Sequence, residues 1–289
     1  MRLFYYVHTG HRIGLDRFRR AAAIINSLGE EVDITLLCSD FRIAQIAKDF
    51  GVKNSVGLDV VRNIPQISNY GDKIIFDSEE ANPTMLDDMR SYFSTFIRMS
   101  DKIDDTKEEN ELLISPYLDG EGICKAYAID DIYFEKEKKT IKMSYFFGDD
   151  DYSKDLEKNL SFLDGLSPDL QLGFYYFLDY EDMLKEKFEN YHEFEEYEEM
   201  IKKTDILITA SPQAVLESLA SGGKPIYVKR EDYRDNFDDL FNQLNIPIVN
   251  NYNKNQLSDI IKTINNHNYE VTEQNSNKLS EFIKENLIL

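Results

Sequence analysis

The segment with the clearest functional signal covers residues 205–229 and reads DILITASPQAVLESLASGGKPIYVK. An apolar run leads into a turn at Ser211, a short helix-forming stretch follows, and a Gly-Gly pair precedes another apolar run. Such a turn places helix-start N–H groups at the carboxyl end of a strand, where open α/β sheets bind ligands. Ser211 and Gln213 would line the turn, and Glu217 could accept hydrogen bonds from both hydroxyls of a ribose. The alternative is a buried strand and helix with Glu217 as an exposed surface residue.

A second group of charged side chains lies in HTGHRIGLDRFRR, residues 8–20. Its basic residues are Arg12, Arg17, Arg19 and Arg20. The forked guanidinium matches phosphate and carboxylate oxygens, so this arginine cluster could clamp a phosphate or a sugar-acid carboxylate. In the alternative interpretation, Arg19 faces water and the other arginines pair with nearby carboxylates.

The charge of the whole chain limits its partners. The 289 residues include 54 acidic and 33 basic side chains, which gives a net charge of −21. A field of this sign repels phosphate backbones and anionic lipids, so we expect neither nucleic acid nor a membrane surface as a partner. An anionic small molecule would need a local positive site.

The sequence also bears on the location of the protein in the cell and on whether it binds a metal ion. The opening MRLFYYVHTG lacks the apolar core of a signal peptide, and no apolar run has membrane length, so we expect a cytoplasmic protein without membrane insertion. Cys38 and Cys124 fit no metal spacing, and the four histidines show none either. We therefore expect no metal and no cofactor.

The elements that would position these residues follow from the apolar pattern. Runs of strand length alternate with amphipathic runs of helix length, which is typical of parallel sheets with crossover helices. The pattern predicts strands at 2–8, 142–147 and 170–177 and a helix at 15–28. The fold class is therefore α/β.

The alternation begins again in the second half of the chain, which predicts two domains. The join is expected between Pro116 and Thr140, where DGEG and EKEKKT interrupt the pattern. A chain of this length suits two domains of ordinary size, here an N-terminal Rossmann-like domain at 1–125 and a C-terminal one at 126–289.

Residues 217–225, ESLASGGKP, resemble the E-x-x-A-x-G-x-P element of GT-B glycosyltransferases, with one additional residue. The resemblance implies a GT-B-like fold in which two Rossmann-like domains face a cleft. The nucleotide would bind the C-terminal domain, and the sugar or acceptor would bind the N-terminal one. It also implies that Glu217 holds the ribose of the donor nucleotide.

A second resemblance runs along most of the chain. Ile13, Gly14 and Arg20 match the I-G-x-G-H-x-x-R loop and helix of the UDP-sugar hydrolases of pseudaminic acid biosynthesis. FGDDD at 147–151 resembles the F-G-G-T-D turn of that family, and KIIFD at Lys73–Asp77 resembles its strand before the interdomain segment. The implied ligand is a nucleotide sugar or a related anionic small molecule. The residues implied at its sugar and phosphates are Arg12, Gly14, Arg20 and Gly148.

The implied activity is the hydrolytic removal of UDP from a diacetamido-trideoxy-altrose without a metal, in which a loop histidine takes a proton from the attacking water. Three positions of this sequence depart from the family. Its histidine position holds Arg17, whose guanidinium stays protonated and cannot accept a proton. Asp149 replaces a glycine and puts a carboxylate where a phosphate would approach. Ser211-Pro212 replaces a Gly-Gly pair, so that turn loses an N–H donor, although Ser211 can cap the helix. These departures predict that the family reaction is impaired or lost.

Two hypotheses remain open. In the first, the protein is a nucleotide-sugar hydrolase or glycosyltransferase for a surface or flagellar glycan, and His8 or His11 replaces the missing base. In the second, it is a catalytically silent relative that serves as a binding or scaffold subunit for a protein partner in the same pathway.

Overall fold

The computed structural model describes residues 1–232 and 237–287. The chain divides into two α/β units, which confirms the predicted two-domain α/β architecture. Unit 1 consists of Met1–Gly10, Arg17–Asp131 and Asn275–Leu289, and unit 2 consists of His11–Asp16 and Ile132–Gln274.

Unit 1 contains one parallel sheet with the strand order β3-β2-β1-β4-β5-β6-β7. Its strands are β1 (Leu3–Val7), β2 (Ile34–Cys38), β3 (Ser55–Gly57), β4 (Lys73–Asp77), β5 (Thr95–Met99), β6 (Leu112–Ser115) and β7 (Ile123–Lys125). Every residue of β1 and β4 is buried, as expected for central strands of a parallel sheet.

Unit 2 contains a second parallel sheet with the strand order β10-β9-β8-β11-β12-β13. Its strands are β8 (Ile141–Phe146), β9 (Asp169–Gln171), β10 (Tyr191–His192), β11 (Thr204–Thr209), β12 (Lys224–Val228) and β13 (Ile248–Val249).

Helices connect the strands of both sheets. They are α1 (Asp16–Leu28), α2 (Phe41–Ile46), α3 (Ile64–Ile67), α4 (Pro83–Tyr92), α5 (Asp155–Asn159), α6 (Leu178–Lys185), α7 (Tyr197–Lys203), α8 (Pro212–Ala220), α9 (Asp238–Gln243), α10 (Lys254–Thr263) and α11 (Ser276–Leu287). Short 3-10 helices cover Ala47–Phe50, Val61–Asn63, Asp131–Phe134, Leu160–Leu163, Phe194–Glu196 and Ile264–Asn266. Among the described residues, none of these helices has the length and apolar character needed to span a bilayer.

Each sheet has a topological switch point. In unit 1, β1 pairs with β2 on one side and with β4 on the other. In unit 2, β8 pairs with β9 on one side and with β11 on the other. Open α/β sheets bind ligands beyond the carboxyl ends of the strands at such points. The carboxyl ends of β1 and β4, and of β8 and β11, are therefore the places to examine for function.

Aromatic side chains fill the cores behind these strand ends. In unit 1, Phe76 stacks on Tyr6 with ring centroids 5.5 Å apart and lies 5.8 Å from Phe96. In unit 2, Tyr145 and Phe162 pack edge to face at 5.6 Å. Aromatic pairs of this kind add about 0.5–1.5 kcal/mol beyond the burial of their area. The strands that carry the candidate residues are thus firmly held.

Helix α11 belongs to unit 1, although the predicted range 126–289 places it with the second half of the chain. Its residues Leu279, Ile283 and Leu287 are buried, and Lys278 Nζ donates to the main-chain oxygen of Lys125 at 2.6 Å. The helix thus covers apolar surface in unit 1 and is tied to the last strand of that sheet.

The strand predicted at 170–177 is wrong beyond Gln171. The chain turns at Gly173, and the main-chain N–H of Tyr175 donates to the main-chain oxygen of Asp149 at 2.8 Å. Residues 170–177 are mostly apolar in the sequence, but those from Gly173 contact the turn after β8 instead of extending β9.

Gly173 should tolerate no side chain. A Cβ at this position would lie 2.5 Å from the main-chain oxygen of Gly148 and 2.9 Å from Cα of Asp149. We expect Gly173→Ala to lower the free energy of unfolding by about 1–3 kcal/mol, because the turn after β8 must shift to relieve the overlap. Denaturant unfolding followed by circular dichroism measures this change. An unchanged midpoint would show that the turn moves without cost.

Candidate functional site

The candidate residues from the sequence lie beyond the two switch points, in two groups. His8, Arg17 and Arg20 belong to unit 1. The group in unit 2 consists of His11, Arg12, Gly14, Gly148, Ser211, Gln213 and Glu217. The loop between β1 and α1 therefore contributes its candidates to both units.

The start of helix α8 forms the centre of the group in unit 2. Ser211 is fully buried and caps the helix, since its hydroxyl accepts the N–H of Ala214 at 3.1 Å. The same hydroxyl donates to Asp16 Oδ1 at 2.6 Å. The predicted cap is confirmed, and a carboxylate lies against it because the helix N-terminus attracts negative charge.

Glu217 lies one turn into α8 and is only 2% exposed. Its Oε2 accepts the hydroxyl of Tyr197 at 2.7 Å, and its Oε1 accepts Nε2 of Gln213 at 3.0 Å. The alternative of an exposed surface glutamate is therefore wrong. The carboxylate instead joins α7 to the first turn of α8, a contact for which the sequence gave no signal.

The turn after β8 carries three buried acidic residues, of which Asp149 and Asp151 stabilise local structure. Gly148 adopts a φ of 128°, a conformation open to glycine alone without strain. Asp149 Oδ1 accepts the N–H of Phe174 at 3.4 Å. Asp151 caps α5 by accepting the N–H groups of Asp155 at 2.7 Å and Leu156 at 3.0 Å. Burial raises the pKa of Asp151, although these hydrogen bonds act to lower it.

Arg230, which the sequence analysis did not identify, supplies a buried positive charge beside this turn. Its guanidinium donates to the main-chain oxygen of Asp150 at 2.7 Å and to both carboxylate oxygens of Asp232 at 2.8 and 2.7 Å. It also lies 4.3 Å from the ring centroid of Phe147. Burial works to raise the pKa of Asp232, but the bonds and charge of Arg230 outweigh it and hold that pKa below its usual range. The basic pair Lys229-Arg230 after the apolar strand IYV was the available signal.

The loop residues of unit 2 face the same turn. Nδ1 of His11 lies 3.6 Å from Oδ1 of Asp150. The guanidinium of Arg12 stacks 3.8 Å from the ring centroid of Tyr152. Gly14 is buried and has a φ of 79°, so it provides the left-handed turn that the loop needs.

In unit 1, the guanidinium of Arg20 donates hydrogen bonds to two carboxylates. Nε donates to Asp77 Oδ2 at 2.6 Å, and Nη2 donates to the other oxygen of the same carboxylate. Nη1 donates to both oxygens of Asp101 at 2.7 and 2.8 Å. Arg17 lies 3.8 Å from Asp77 and 3.7 Å from Glu79. The interpretation that these arginines pair with carboxylates is confirmed for both.

Arg19 does not face water as that interpretation assumed. It is only 4% exposed, because it lies on the buried side of α1 together with Ala22 and Ala23. The arginine cluster therefore does not act as one surface.

His8 follows β1, and its surroundings lower the pKa of its imidazole. Burial lowers its pKa, and the charge of Arg17 lowers it further, while Glu80 opposes both. Nε2 of His8 lies 3.8 Å from Oε1 of Glu80, and Oε2 of the same carboxylate accepts the hydroxyl of Tyr6. A neutral imidazole of this kind can accept a proton near neutral pH.

No arrangement in the described ranges, 1–232 and 237–287, brings three or more His, Cys, Asp or Glu side chains together to hold a metal ion. Cys38 and Cys124 are buried free thiols, and burial raises the pKa of both.

The sequence matches no protein-family model and no curated protein, but the fold matches solved structures over nearly the whole chain. The UDP-GlcNAc 2-epimerase of Methanocaldococcus jannaschii, solved with UDP-GlcNAc and UDP, has a TM-score of 0.62 at 10% identity and covers 98% of this chain and 99% of its own. MurG of Acinetobacter baumannii has a TM-score of 0.56 at 12% identity, with 99% and 100% covered. The spinosyn forosaminyltransferase SpnP has a TM-score of 0.58 at 10% identity, with 99% and 95% covered.

These similarities define the class of the fold, which is GT-B-like. The identities are too low to carry more than the fold. The finer resemblance to the UDP-sugar hydrolases of pseudaminic acid biosynthesis stays a prediction.

Substitution of different arginines in the cluster should change the stability of the protein by different amounts. Arg20→Ala should lower the free energy of unfolding by about 3–5 kcal/mol, because the buried carboxylate of Asp77 would lose its bidentate ion pair with the guanidinium. Arg12→Ala is the matched control, since Arg12 is exposed and its loss should cost about 0.5–1 kcal/mol. Urea unfolding of both variants at neutral pH makes the comparison. Equally small losses would show that Arg20 is available to a ligand.

Proposed function

We propose that this protein binds a nucleotide-activated sugar, with the nucleotide at the start of helix α8 in unit 2. The observation that carries the proposal is the convergence of three features at the carboxyl edge of one sheet. They are the Ser211 cap, the Gly148 turn and the buried guanidinium of Arg230. This edge of a parallel sheet binds phosphates in many unrelated proteins.

The fold supports the choice of ligand class. The epimerase of similar fold was solved with UDP-GlcNAc and UDP, and the other neighbours include a forosaminyltransferase. We infer a UDP-sugar as the first ligand to test, and synthesis of a surface or flagellar glycan as the setting. The two activities that fit are hydrolysis of the nucleotide sugar and transfer of its sugar.

Glu217 would bind the ribose by replacing its hydrogen bond from Gln213 with hydrogen bonds from the ribose hydroxyls. A carboxylate offers roughly four acceptor positions, and the oxygens of Glu217 accept the hydroxyl of Tyr197 and the amide of Gln213. Gln213 lies at the first turn of α8, so rotation of its amide would let ribose hydroxyls reach Oε1. Tyr197 would keep the carboxylate in place.

The second candidate function is binding without catalysis. The observation that favours it is the set of carboxylates near the phosphate position. Asp16 contacts the cap of α8, Asp149 lies in the adjacent turn, and Arg17 is committed to acidic partners. A protein of this kind would hold a nucleotide sugar for a partner protein in the pathway.

Glu217→Ala tests the ribose contact. Calorimetry with UDP, CMP and their sugars should show binding by the native protein that weakens by about 1.5–3 kcal/mol in the variant, the range for hydrogen bonds to a charged group. Glu217→Gln keeps the shape and the contact to Tyr197, and we expect a smaller loss from it. If the folded Ala variant binds as tightly as the native protein, Glu217 serves only to join α7 to α8.

Catalysis is tested by release of UDP from the UDP-sugar of the pseudaminic acid hydrolases. We expect none from the native protein, because Asp149 repels the diphosphate and the position of the family's own base holds Arg17, which cannot accept a proton. Arg17→His combined with Asp149→Gly should give partial activity, since the pair supplies a base and opens the turn to phosphate. Release by the native protein at roughly 1 per second or faster would contradict this expectation.

A further inference from the structure

We propose that Asp150 is the positioning residue of His11. It holds the imidazole as the Nδ1–H tautomer, so that Nε2 is the proton acceptor of the site in unit 2. The proposal rests on the proposed function for the identity of the molecule that gives up the proton. The tautomer itself is a property of the protein without ligand.

The carboxylate of Asp150 is the first part of the argument. Its side chain is only 4% exposed, and Oδ1 accepts no hydrogen bond from any described residue. Among the described residues, Oδ2 accepts only a long hydrogen bond, from the N–H of Tyr152 at 3.3 Å. A buried carboxylate oxygen without a donor is costly, so this oxygen favours a nearby N–H.

The nearest candidate for that donor is the imidazole of His11. Nδ1 lies 3.6 Å from Oδ1 of Asp150, slightly beyond hydrogen-bond length, and a small rotation of the ring would close the contact. Arg230, the buried cation of this turn, directs its guanidinium to the main-chain oxygen of Asp150 and to Asp232. Arg230 therefore does not take the place of His11 at the carboxylate of Asp150.

Aromatic side chains fix the orientation of the imidazole. The ring of His11 stacks on Phe177 with centroids 5.6 Å apart and planes 12° apart, and it lies 4.8 Å from Tyr175. Arg12, the neighbouring cation of the loop, is stacked on Tyr152. With Nδ1 directed at Asp150, Nε2 is on the opposite side of the ring. Phe177 is 58% exposed, so this side of the loop is accessible.

This arrangement matches the way a base histidine is prepared in other enzymes, where a carboxylate on one ring nitrogen sets the tautomer and the orientation. In the step that it would support, a proton of the attacking water or hydroxyl passes to Nε2. The oxygen uses its electron pair to form the new bond to the anomeric carbon, and the nucleoside diphosphate leaves with the pair of the broken C–O bond. Asp150 then balances the positive charge of the imidazolium.

The test is long-range proton–nitrogen NMR of the full-length, nitrogen-15-labelled protein at mildly alkaline pH, where imidazoles are neutral. Comparison with His11→Asn assigns the signal. We expect His11 to carry its proton on Nδ1 in the native protein and mainly on Nε2 in Asp150→Ala. The signals of His192 and His267, which contact Asp169 and Asn245 instead, are internal controls and should not change.

Asp150→Asn keeps the size of the side chain and should give an intermediate tautomer population, which decides the question if the Ala variant does not fold. A native His11 with its proton on Nε2 would overturn the proposal. An unchanged tautomer in a folded Asp150 variant would overturn it as well.

Kinetics tests the proton acceptor with whichever nucleotide sugar calorimetry shows to bind and turn over. Asp150→Ala should lower kcat by about tenfold or more with little change in KM, and Asp150→Ala with His11→Asn should be no worse than His11→Asn alone. An unchanged kcat in both single variants would overturn the assignment of Nε2. If no nucleotide sugar binds, the proposed function fails, while the tautomer measurement still decides the role of Asp150.

Discussion

A buried charge at the carboxyl edge of each sheet, Asp77 in unit 1 and Arg230 in unit 2, is paired with a charge of opposite sign, and both candidate regions depend on this constraint. In unit 1, Arg20 joins Asp77, the last residue of β4, to Asp101, which follows β5. In unit 2, Arg230 joins the turn after β8 to Asp232. A charge removed from water destabilises a fold unless it is paired, so these contacts fix the strand ends that would meet a ligand.

The same contacts explain how a chain with a net charge of −21 could hold an anionic ligand. Arg17, Arg19 and Arg20 do not supply the positive site, because Arg17 and Arg20 already neutralise acidic side chains and Arg19 is buried. The positive features that we identify in unit 2 are Arg230, the N–H groups at the start of α8, and Arg12, which is stacked on Tyr152. A phosphate there would have to compete with Asp16 for the helix end.

The acidic turn after β8 also gives a physical reason to separate binding from the family reaction. Asp149 and Asp151 hold Phe174 and the start of α5, so they serve the fold of the turn, and Asp149 is also the residue that we expect to oppose a phosphate. Asp150 is different, because one of its oxygens accepts no hydrogen bond from the described residues and His11 lies beside it. In our proposal Asp150, the neighbour of the departing residue Asp149, prepares His11 as a new base.

The sequence by itself determined the α/β class, the two-domain division and most element positions. The helix predicted at 15–28 is found at Asp16–Leu28, and the strand predicted at 2–8 is found at Leu3–Val7. These features follow from the spacing of apolar residues along a short stretch, which is local information. Assignment from apolar spacing failed at 170–177, because the sequence alone does not reveal that the residues from Gly173 contact the turn after β8.

Only the tertiary structure decided which charged groups meet. Arg20 binds a carboxylate 57 positions away, and Ser211 meets Asp16 across 195 positions. No local pattern encodes such pairings, since they depend on which strand ends the parallel order brings together. The sequence could therefore name Ser211, Glu217 and His11 as candidates, but their partners Asp16, Tyr197 and Asp150 became evident only when the strands were in place.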